Sequence, residues 1–286
     1  MQLKAAVIGQ PIAHSKSPAL HRAAYRALGA DIDYRLIEVA PADLADFVAQ
    51  IRAEQNWSGI SVTMPHKASM LALVDARDAD VQRTGALNTV LVDPADGRLL
   101  GRNTDIIGIV HALRHAGVAS VQHAALIGGG GTARAALAAL KQLDCQRADV
   151  YLRDPAKGGD LAELAAVLGL GLTLRPFAEA ADPVTGAGAG AAELVISTLP
   201  PGVADPLAEA LRGTGRGSNL LLDVAYDPWP SRLAHVWSES GGAVVSGLEM
   251  LLYQAVAQVA AFSGCDLAGR EDVINVMCDS IGLPER

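Results

Sequence analysis

The chain has 286 residues, of which 50% are hydrophobic but only 4% aromatic, a length and composition typical of two globular domains with aliphatic cores. Its 23 basic and 31 acidic residues give a net charge of −8, which excludes nucleic acid as a predicted partner because no basic surface is available for phosphates. Three scattered cysteines without CxxC spacing indicate reduced thiols and exclude a disulfide framework or a zinc ribbon.

The first apolar run ends at Gly9 and is too short for the hydrophobic region of a secretory signal. The most apolar later stretch is interrupted by Glu249, Gln254 and Gln258, so no segment approaches the ~20 apolar residues of a membrane span. We therefore expect a cytoplasmic protein without a membrane partner.

The first third of the chain alternates short apolar runs with amphipathic segments. Ser17 followed by Pro18 predicts a helix start, with Ser17 as the N-cap. The pattern predicts strands near Ala5–Ile8, Tyr34–Glu38, Gly59–Val62 and Thr89–Val92, and helices near Pro18–Leu28 and Pro41–Arg52.

A helix predicted from Asp105 to Gly117 leads into a second series of strands and helices. Two helices near the C-terminus, from Leu248 and from Glu271, are expected to fold back onto the first domain. The later strands are predicted at Ala124–Ile127, Ala148–Leu152, Glu193–Ile196, Leu220–Val224 and Ala243–Val245.

Alternating strands and helices predict an α/β fold with two domains. The first, residues 1–105 plus 248–286, is expected to contain a mixed, mainly parallel sheet. The second, residues 106–247, is expected to be Rossmann-like. Within it, the stretch 186–192 is predicted to be a loop, and the glycines at 213, 215 and 217 precede a strand, which is the wrong order for a phosphate loop.

Lys67 and Asp105 each close a strand-like segment rich in hydroxyl and amide side chains. An ammonium and a carboxylate held together can pass a proton to or from a substrate oxygen. The alternative interpretation of such a pair is a structural salt bridge. His111 and His115 have a spacing that can bind zinc, but no third ligand accompanies them, so we predict no metal.

A glycine-rich segment after the strand at Ala124–Ile127 matches GxGxxA and opens an alanine-rich helix. Gly128 is predicted to make the tight turn, Gly130 to let the backbone approach a pyrophosphate, and Ala133 to allow close packing of the helix. The alternative is a set of glycines that only turn the chain. The predicted dinucleotide contacts of this loop are Gly128, Gly129, Gly130, Gly131, Thr132 and Ala133.

The residues after the next strand indicate which dinucleotide is bound. Arg153 lies where Rossmann sites place either an acidic partner for the NAD ribose or a cation for the NADP 2′-phosphate. Arg153 and Lys157 favour NADP, whereas the neighbouring Asp154 leaves NAD as an alternative. The alternative is that these two cations lie on a solvated loop and contact no cofactor.

Six segments in chain order resemble the shikimate dehydrogenases. The first is the serine motif that runs from Gly9 to His21. The others are Ser61–Lys67, Gly85–Val90, Asn103–Asp105, the glycine loop, and Ser246–Leu251 with Gln254. The resemblance covers residues from about 5 to about 260 and implies reversible NADPH-dependent reduction of 3-dehydroshikimate to shikimate, in the chorismate route to aromatic amino acids.

The resemblance also implies roles for particular residues. Lys67 and Asp105 match the catalytic pair. Substrate binding is implied for Ser15 and Ser17 at the carboxylate, for Thr63, Asn88 and Gln254 at the ring hydroxyls, and for Tyr226 near the carboxylate. Residues implied to line the nicotinamide pocket are Ser197, Thr198, Leu199, Gly247 and Met250.

Two departures from the family pattern bear on specificity. Ser61 stands where the family commonly has asparagine, and Leu152-Arg153-Asp154 keeps only part of the usual phosphate clamp. An NAD-dependent quinate or dual quinate/shikimate dehydrogenase is therefore one alternative, and a noncatalytic shikimate-binding regulatory protein is a more distant one. We expect a small-molecule substrate and a monomer or homodimer.

Overall fold

The structure is a computed structural model that describes residues 2–181, 192–213 and 219–286. Contacts between Cα atoms divide it into two compact units. The first unit contains Met1–Gly108 and Leu251–Arg286, and the second contains Ile109–Met250. The predicted stretch 186–191 and the glycines at 215 and 217 lie outside the described residues.

The first unit is built on a six-stranded sheet with the order β2-β1-β3-β5-β6-β4. Strands β1, β2 and β3 are mutually parallel, whereas β5 runs antiparallel to both β3 and β6. Its strands are β1 (Leu3–Gly9), β2 (Ile32–Glu38), β3 (Trp57–Val62), β4 (Ala76–Arg77), β5 (Thr89–Val92) and β6 (Leu99–Arg102).

Helices cover the two faces of this sheet. On one face, Ile8, Ile60 and Val90 pack in a core with residues of the second helix. On the other, Val7 and Tyr34 share a core with the two C-terminal helices. The helices of this unit are α1 (Ser17–Leu28), α2 (Leu44–Ala53) and α3 (Ala79–Thr84), with α4 (Asp105–His115) beginning in it.

The second unit contains a parallel six-stranded sheet with the order β12-β11-β10-β7-β8-β9, which is the doubly wound order of Rossmann-like folds. Its strands are β7 (His123–Ile127), β8 (Arg147–Leu152), β9 (Gly171–Pro176), β10 (Leu194–Ser197), β11 (Leu220–Asp223) and β12 (Ala243–Ser246). Its helices include α5 (Gly131–Gln142), α6 (Gly159–Leu168), α7 (Asp205–Ala210) and α8 (Arg232–Glu239).

The chain then passes through α9 (Gly247–Ser263) to α10 (Glu271–Ile281), and the latter packs against α1. The predicted fold class is confirmed, including the return of the C-terminal helices. Among the described residues, no helix is both long enough and apolar enough to cross a membrane.

The predicted N-cap at Ser17 is wrong. Helix α1 already begins at Ser17, Lys16 occupies the cap position, and no side chain caps the helix. The Ser17 side chain is buried and hydrogen-bonds to Tyr34 of the neighbouring strand, so its hydroxyl group does not serve the helix terminus. A tertiary partner has replaced the local one that the Ser-Pro pair suggested.

Candidate active site

The segments predicted to bear the reactive pair meet at one edge of the first sheet. Strands β1, β3 and β6 end at this edge, while the antiparallel β5 begins there. Lys67 therefore follows the end of β3, Asn88 precedes β5, and Asp105 follows β6 as the first residue of α4. The mixed topology brings three loops together that are far apart in sequence.

Lys67 and Asp105 form a short ion pair, with Nζ of Lys67 2.5 Å from Oδ2 of Asp105. The Asp105 side chain is only 7% exposed and the Lys67 side chain 19%. A partly desolvated pair of this kind interacts more strongly than a surface pair, and breaking it leaves a buried charge. The pair retains one solvent-accessible member, as a proton donor to a substrate requires.

Asn88 supports the carboxylate from the side opposite Lys67. Its Nδ2 donates to Oδ1 of Asp105 at 2.8 Å and to Oγ1 of Thr104 at 2.9 Å. Its Oδ1 accepts from the backbone N of Thr104 at 2.7 Å and from Oγ1 of Thr89 at 2.9 Å. Each oxygen of the Asp105 carboxylate thus has a donor, and the amide of Asn88 is engaged at both ends.

The start of α4 is held by the residue two positions before the carboxylate. Oδ1 of Asn103 accepts from the backbone N of Asp105 at 3.1 Å, while its Nδ2 donates to the carbonyl of Ala86 at 2.9 Å. This side-chain turn fixes the backbone from which Asp105 projects.

Gln254 reaches the same cluster from α9. Its Oε1 accepts from Nδ2 of Asn88 at 3.3 Å, and its Nε2 donates to the carbonyl of Leu251. The structure therefore brings together four of the predicted site residues, Lys67, Asn88, Asp105 and Gln254.

The serine motif and Thr63 lie after the C-terminal ends of β1 and β3, at the same edge of the sheet. Ser15 and Thr63 are half-buried. Oγ of Ser15 accepts weakly from the backbone N of Ser17 at 3.4 Å. A side chain at Gly9 would place its Cβ 2.6 Å from the Thr63 methyl group, so glycine is needed for the two loops to approach.

A buried polar cluster, which sequence reasoning missed, lies under the site. Its central residue is Gln258, one helical turn after Gln254 and 1% exposed. Nε2 of Gln258 donates to the Asn88 carbonyl at 3.2 Å and to Oγ1 of Thr89 at 2.8 Å, and Oε1 accepts from Oγ of Ser61 at 2.7 Å. The sequence signal for this cluster was a second glutamine, Gln258, four residues after Gln254 in a mainly apolar helix.

His21 completes this cluster as a fully buried imidazole. Its Nε2 lies 3.2 Å from Oε1 of Gln258 and its Nδ1 lies 3.0 Å from the Tyr25 hydroxyl. Its ring stacks on Tyr34 with 3.9 Å between centroids. Burial lowers the pKa of His21 to about 3, against the opposing effect of its hydrogen bond to Gln258. The ring is therefore neutral at physiological pH.

In the second unit, the glycine loop joins β7 to α5 with the geometry a phosphate needs. Gly128 has a φ of +114°, and a Cβ there would lie 2.4 Å from Oγ1 of Thr198, so only glycine fits. Gly130 precedes the first turn of α5 and has open space where a side chain would be. Ala133, in the first turn of α5, is fully buried. The backbone N–H groups and the dipole of a helix start favour an anion.

The loop borders a cavity of about 790 Å³ at the carboxyl ends of β7 and β8. Arg153 and Lys157 stand at its rim and are exposed. Oδ1 of Asp154 accepts from the backbone N of Ala156 at 3.2 Å, and so caps the short turn that presents Lys157. The remaining lining residues include Gly128, Gly129, Tyr151, Leu152, Leu161, Phe177, Leu199, Val203 and Pro206.

Residues predicted to line the nicotinamide pocket follow β10 and β12. Ser197 ends β10 and is buried, while Thr198 donates through Oγ1 to the Ile127 carbonyl at 2.9 Å. Gly247 begins α9, where a Cβ would lie 2.2 Å from the Val224 carbonyl oxygen, so the structure gives this glycine a packing role. Met250 is buried on the first turn of the same helix.

Tyr226 lies in the loop between β11 and α8 of the second unit. Asp223 closes this loop, because its carboxylate accepts from Oγ of Ser231 at 2.5 Å and from the backbone N of Ala225. Burial raises the pKa of Asp223 above its usual range, partly offset by these donors. Among the described residues, no group of three or more His, Cys, Asp or Glu side chains is placed to hold a metal ion.

Comparisons with known proteins identify what the chain is similar to. A family model described as the shikimate dehydrogenase substrate binding domain matches residues 7–90. A protein of Desulfitobacterium hafniense named shikimate dehydrogenase (NADP(+)) is 35% identical over 253 residues, which are 88% of this chain and 89% of the relative.

Solved structures agree with these matches. A crystal structure of Mycobacterium tuberculosis shikimate dehydrogenase has 38% identity and a TM-score of 0.83, and the alignment covers 97% of this chain and 99% of that one. The shikimate 5-dehydrogenase of Thermus thermophilus, in complex with NADP(H) and shikimate, has 28% identity and a TM-score of 0.78, with 98% and 100% covered.

The open space at Gly130 predicts a variant that folds but binds a dinucleotide poorly. In Gly130→Ala, the new methyl group meets no protein atom within 4 Å but enters the path by which a pyrophosphate approaches the backbone. We expect an unchanged melting temperature and a Kd for NADP⁺ raised at least about tenfold, measured by calorimetry. Gly159→Ala, also in open space but outside the cavity lining, is the control. Normal binding by Gly130→Ala would contradict the assignment of this loop.

The neutral, buried His21 predicts a component of acid destabilisation. Its native pKa lies near 3 and its usual value is 6.5, so between these values the unfolded chain binds a proton that the native state does not. The free energy of unfolding should therefore fall as pH falls through this window, by up to about 1.4 kcal/mol per pH unit. His21→Phe should be less stable near neutral pH but lose stability less steeply on acidification, measured by urea unfolding.

The control for this measurement is His235→Asn, at an exposed histidine of the second unit. Equal slopes in wild type and His21→Phe would show that His21 does not carry this proton linkage.

Proposed function

This chain belongs to the shikimate dehydrogenase family, and we propose that it catalyses the reversible NADPH-dependent reduction of 3-dehydroshikimate to shikimate, a step of aromatic amino-acid biosynthesis. The predicted family and the predicted NADP-dependent oxidoreductase activity are confirmed by relatives that are 30–37% identical over most of the chain. The observation that carries the proposal for the site is the partly buried ion pair of Lys67 and Asp105.

Lys67 is proposed as the acid of the reduction. Negative charge builds on the carbonyl oxygen as hydride arrives, and an ammonium beside that oxygen stabilises the charge and delivers the proton. Asp105 orients Lys67 through the 2.5 Å contact and retains lone pairs that can accept from the neighbouring substrate hydroxyl. In the reverse direction, the same pair removes the proton.

We propose that hydroxyl and amide side chains hold the substrate. Ser15 and Ser17 offer hydroxyl groups to the substrate carboxylate, and Tyr226 is proposed for the same group. Thr63, Asn88 and Gln254 are proposed to hold the ring hydroxyls. Such contacts discriminate strongly because a substrate lacking one oxygen leaves a buried polar group unpaired.

NADP is the proposed cofactor, and when bound it supplies the hydride. The residues present fit it: the glycine loop leaves room for a pyrophosphate at Gly130, and two cations, Arg153 and Lys157, stand at the cavity rim for a 2′-phosphate. In the sequence, Asp154 is the one residue that favours NAD. Its carboxylate caps a turn, which gives it a role that does not require the ribose. Oligomeric state and cytoplasmic location stay predictions.

An assay of initial rates, followed by the absorbance of reduced nicotinamide, tests the function. Shikimate and quinate are each supplied with NADP⁺ and with NAD⁺. We expect kcat/KM to be highest for shikimate with NADP⁺. A preference for quinate with NAD⁺ would favour the quinate dehydrogenase alternative, and binding of shikimate without turnover would favour a regulatory protein.

The proposed role of Lys67 predicts the effect of its removal. Lys67→Ala should lower kcat by roughly 10²- to 10⁴-fold, the usual span for a general acid or base. Lys4→Ala is the matched control. Lys4 also belongs to the first unit and forms an ion pair with Glu54, but this pair is more exposed than the pair of Lys67 and Asp105. Near-normal kcat in Lys67→Ala would remove Lys67 from the reaction.

A further inference from the structure

We propose that Gln258 is a positioning residue, which acts through Thr89 and Asn88 to fix the direction in which Asn88 supports the Asp105 carboxylate. Gln258 is far from the reactive pair in sequence, and the hydrogen bonds that it makes to the described residues lead to Asn88, Thr89, Ser61 and His21. The inference rests on the proposed function, because it concerns the residues assigned there to the reaction.

The orientation of the Gln258 amide is fixed by a group that can only accept. The Asn88 backbone carbonyl lies 3.2 Å from Nε2 of Gln258, and the reversed amide would place two oxygens against each other. The other end must then accept, and it faces Oγ of Ser61 and Nε2 of His21. His21 therefore carries its hydrogen on Nε2 and accepts from the Tyr25 hydroxyl at Nδ1.

This orientation propagates towards the carboxylate. Because Nε2 of Gln258 donates to Oγ1 of Thr89 at 2.8 Å, the Thr89 hydroxyl hydrogen is available for Oδ1 of Asn88, 2.9 Å away. The Thr89 hydroxyl and the backbone N–H of Thr104, which is 2.7 Å away, together hold Oδ1 of Asn88 away from Asp105, and Nδ2 is presented to Oδ1 of the carboxylate. A reversed Asn88 would place its oxygen against the carboxylate of Asp105.

The donors in this relay all point in one direction, from His21 through Gln258, Thr89 and Asn88 to Asp105. Hydrogen bonds aligned in this way in a buried site polarise one another. Gln258, Thr89 and His21 are at most 1% exposed, so water does not readily substitute for a missing member. Ser61 adds a second donor to Oε1 of Gln258 and is itself a hydrogen-bond acceptor for the Tyr34 hydroxyl at 2.7 Å.

Two substitutions test the relay. Gln258→Met keeps the length of the side chain and removes its amide, and Thr89→Val keeps the shape and removes the hydroxyl group that links Gln258 to Asn88. Each should lower kcat about tenfold, which corresponds to about 1.4 kcal/mol of transition-state stabilisation. The KM for NADP⁺ should not change, because the glycine loop belongs to the second unit.

Val259→Ala is the matched control, since Val259 is the next residue of α9, is fully buried, and has an apolar side chain outside the relay. It should lower the melting temperature without lowering kcat. If Val259→Ala reduces kcat as much as Gln258→Met does, the effect comes from general packing and the inference is overturned.

A double-mutant cycle with Asn88→Ala separates positioning from structural support. If Gln258 acts through Asn88, the double variant should have the kcat of Asn88→Ala alone. Additive losses, or a kcat for Gln258→Met and Thr89→Val equal to that of wild type, would overturn the inference while leaving the proposed function intact. A wild-type protein that does not turn over shikimate would instead contradict the proposed function.

Discussion

The site of the first unit depends on keeping an ionised carboxylate where little water reaches it. Removing a charge from water costs several kcal/mol, and the cost is offset only when the charge is paired and its remaining lone pairs accept hydrogen bonds. Asp105 meets both conditions, with Lys67 on one oxygen and Asn88 on the other. Asn88 is held in turn by hydrogen bonds with Thr89, Thr104, Gln254 and Gln258.

The mixed sheet explains how a few residues from distant segments can pair and support the Asp105 carboxylate. In a purely parallel sheet, all strand starts lie at the opposite edge from the strand ends. Here β5 runs in the opposite direction to its neighbours, β3 and β6. Asn88, which precedes β5, therefore lies at the same edge as Lys67, which follows β3, and Asp105, which follows β6. The sheet of the second unit is parallel throughout. In such a sheet, a glycine loop and the N-terminus of the next helix follow the end of a strand, where they can bind an anion.

Strands that are buried on both faces were predictable from sequence, because a short, continuous apolar run between turn residues is typical of a strand in the middle of a covered parallel sheet. β7 and β10 are of this kind. β9 was missed, since it lies at the sheet edge and alternates between exposed and half-buried residues. β6 was anticipated only as the strand-like segment that Asp105 closes, without its bounds, because it is four residues long and contains Gly101. The N-cap predicted at Ser17 failed because a residue on a neighbouring strand competed for the hydroxyl group.

The sequence by itself determined the fold class and the glycine loop after its strand, since these follow from local patterns and short motifs, and it predicted the two side chains proposed to react. Only the tertiary structure decided which polar groups meet. Gln258 contacts Ser61 and Asn88, which precede it by 197 and 170 residues, and no local periodicity encodes such a pairing. Periodicity reports which face of an element is buried, whereas hydrogen-bond partners are set by sheet register and helix packing, which exist only once the chain has folded.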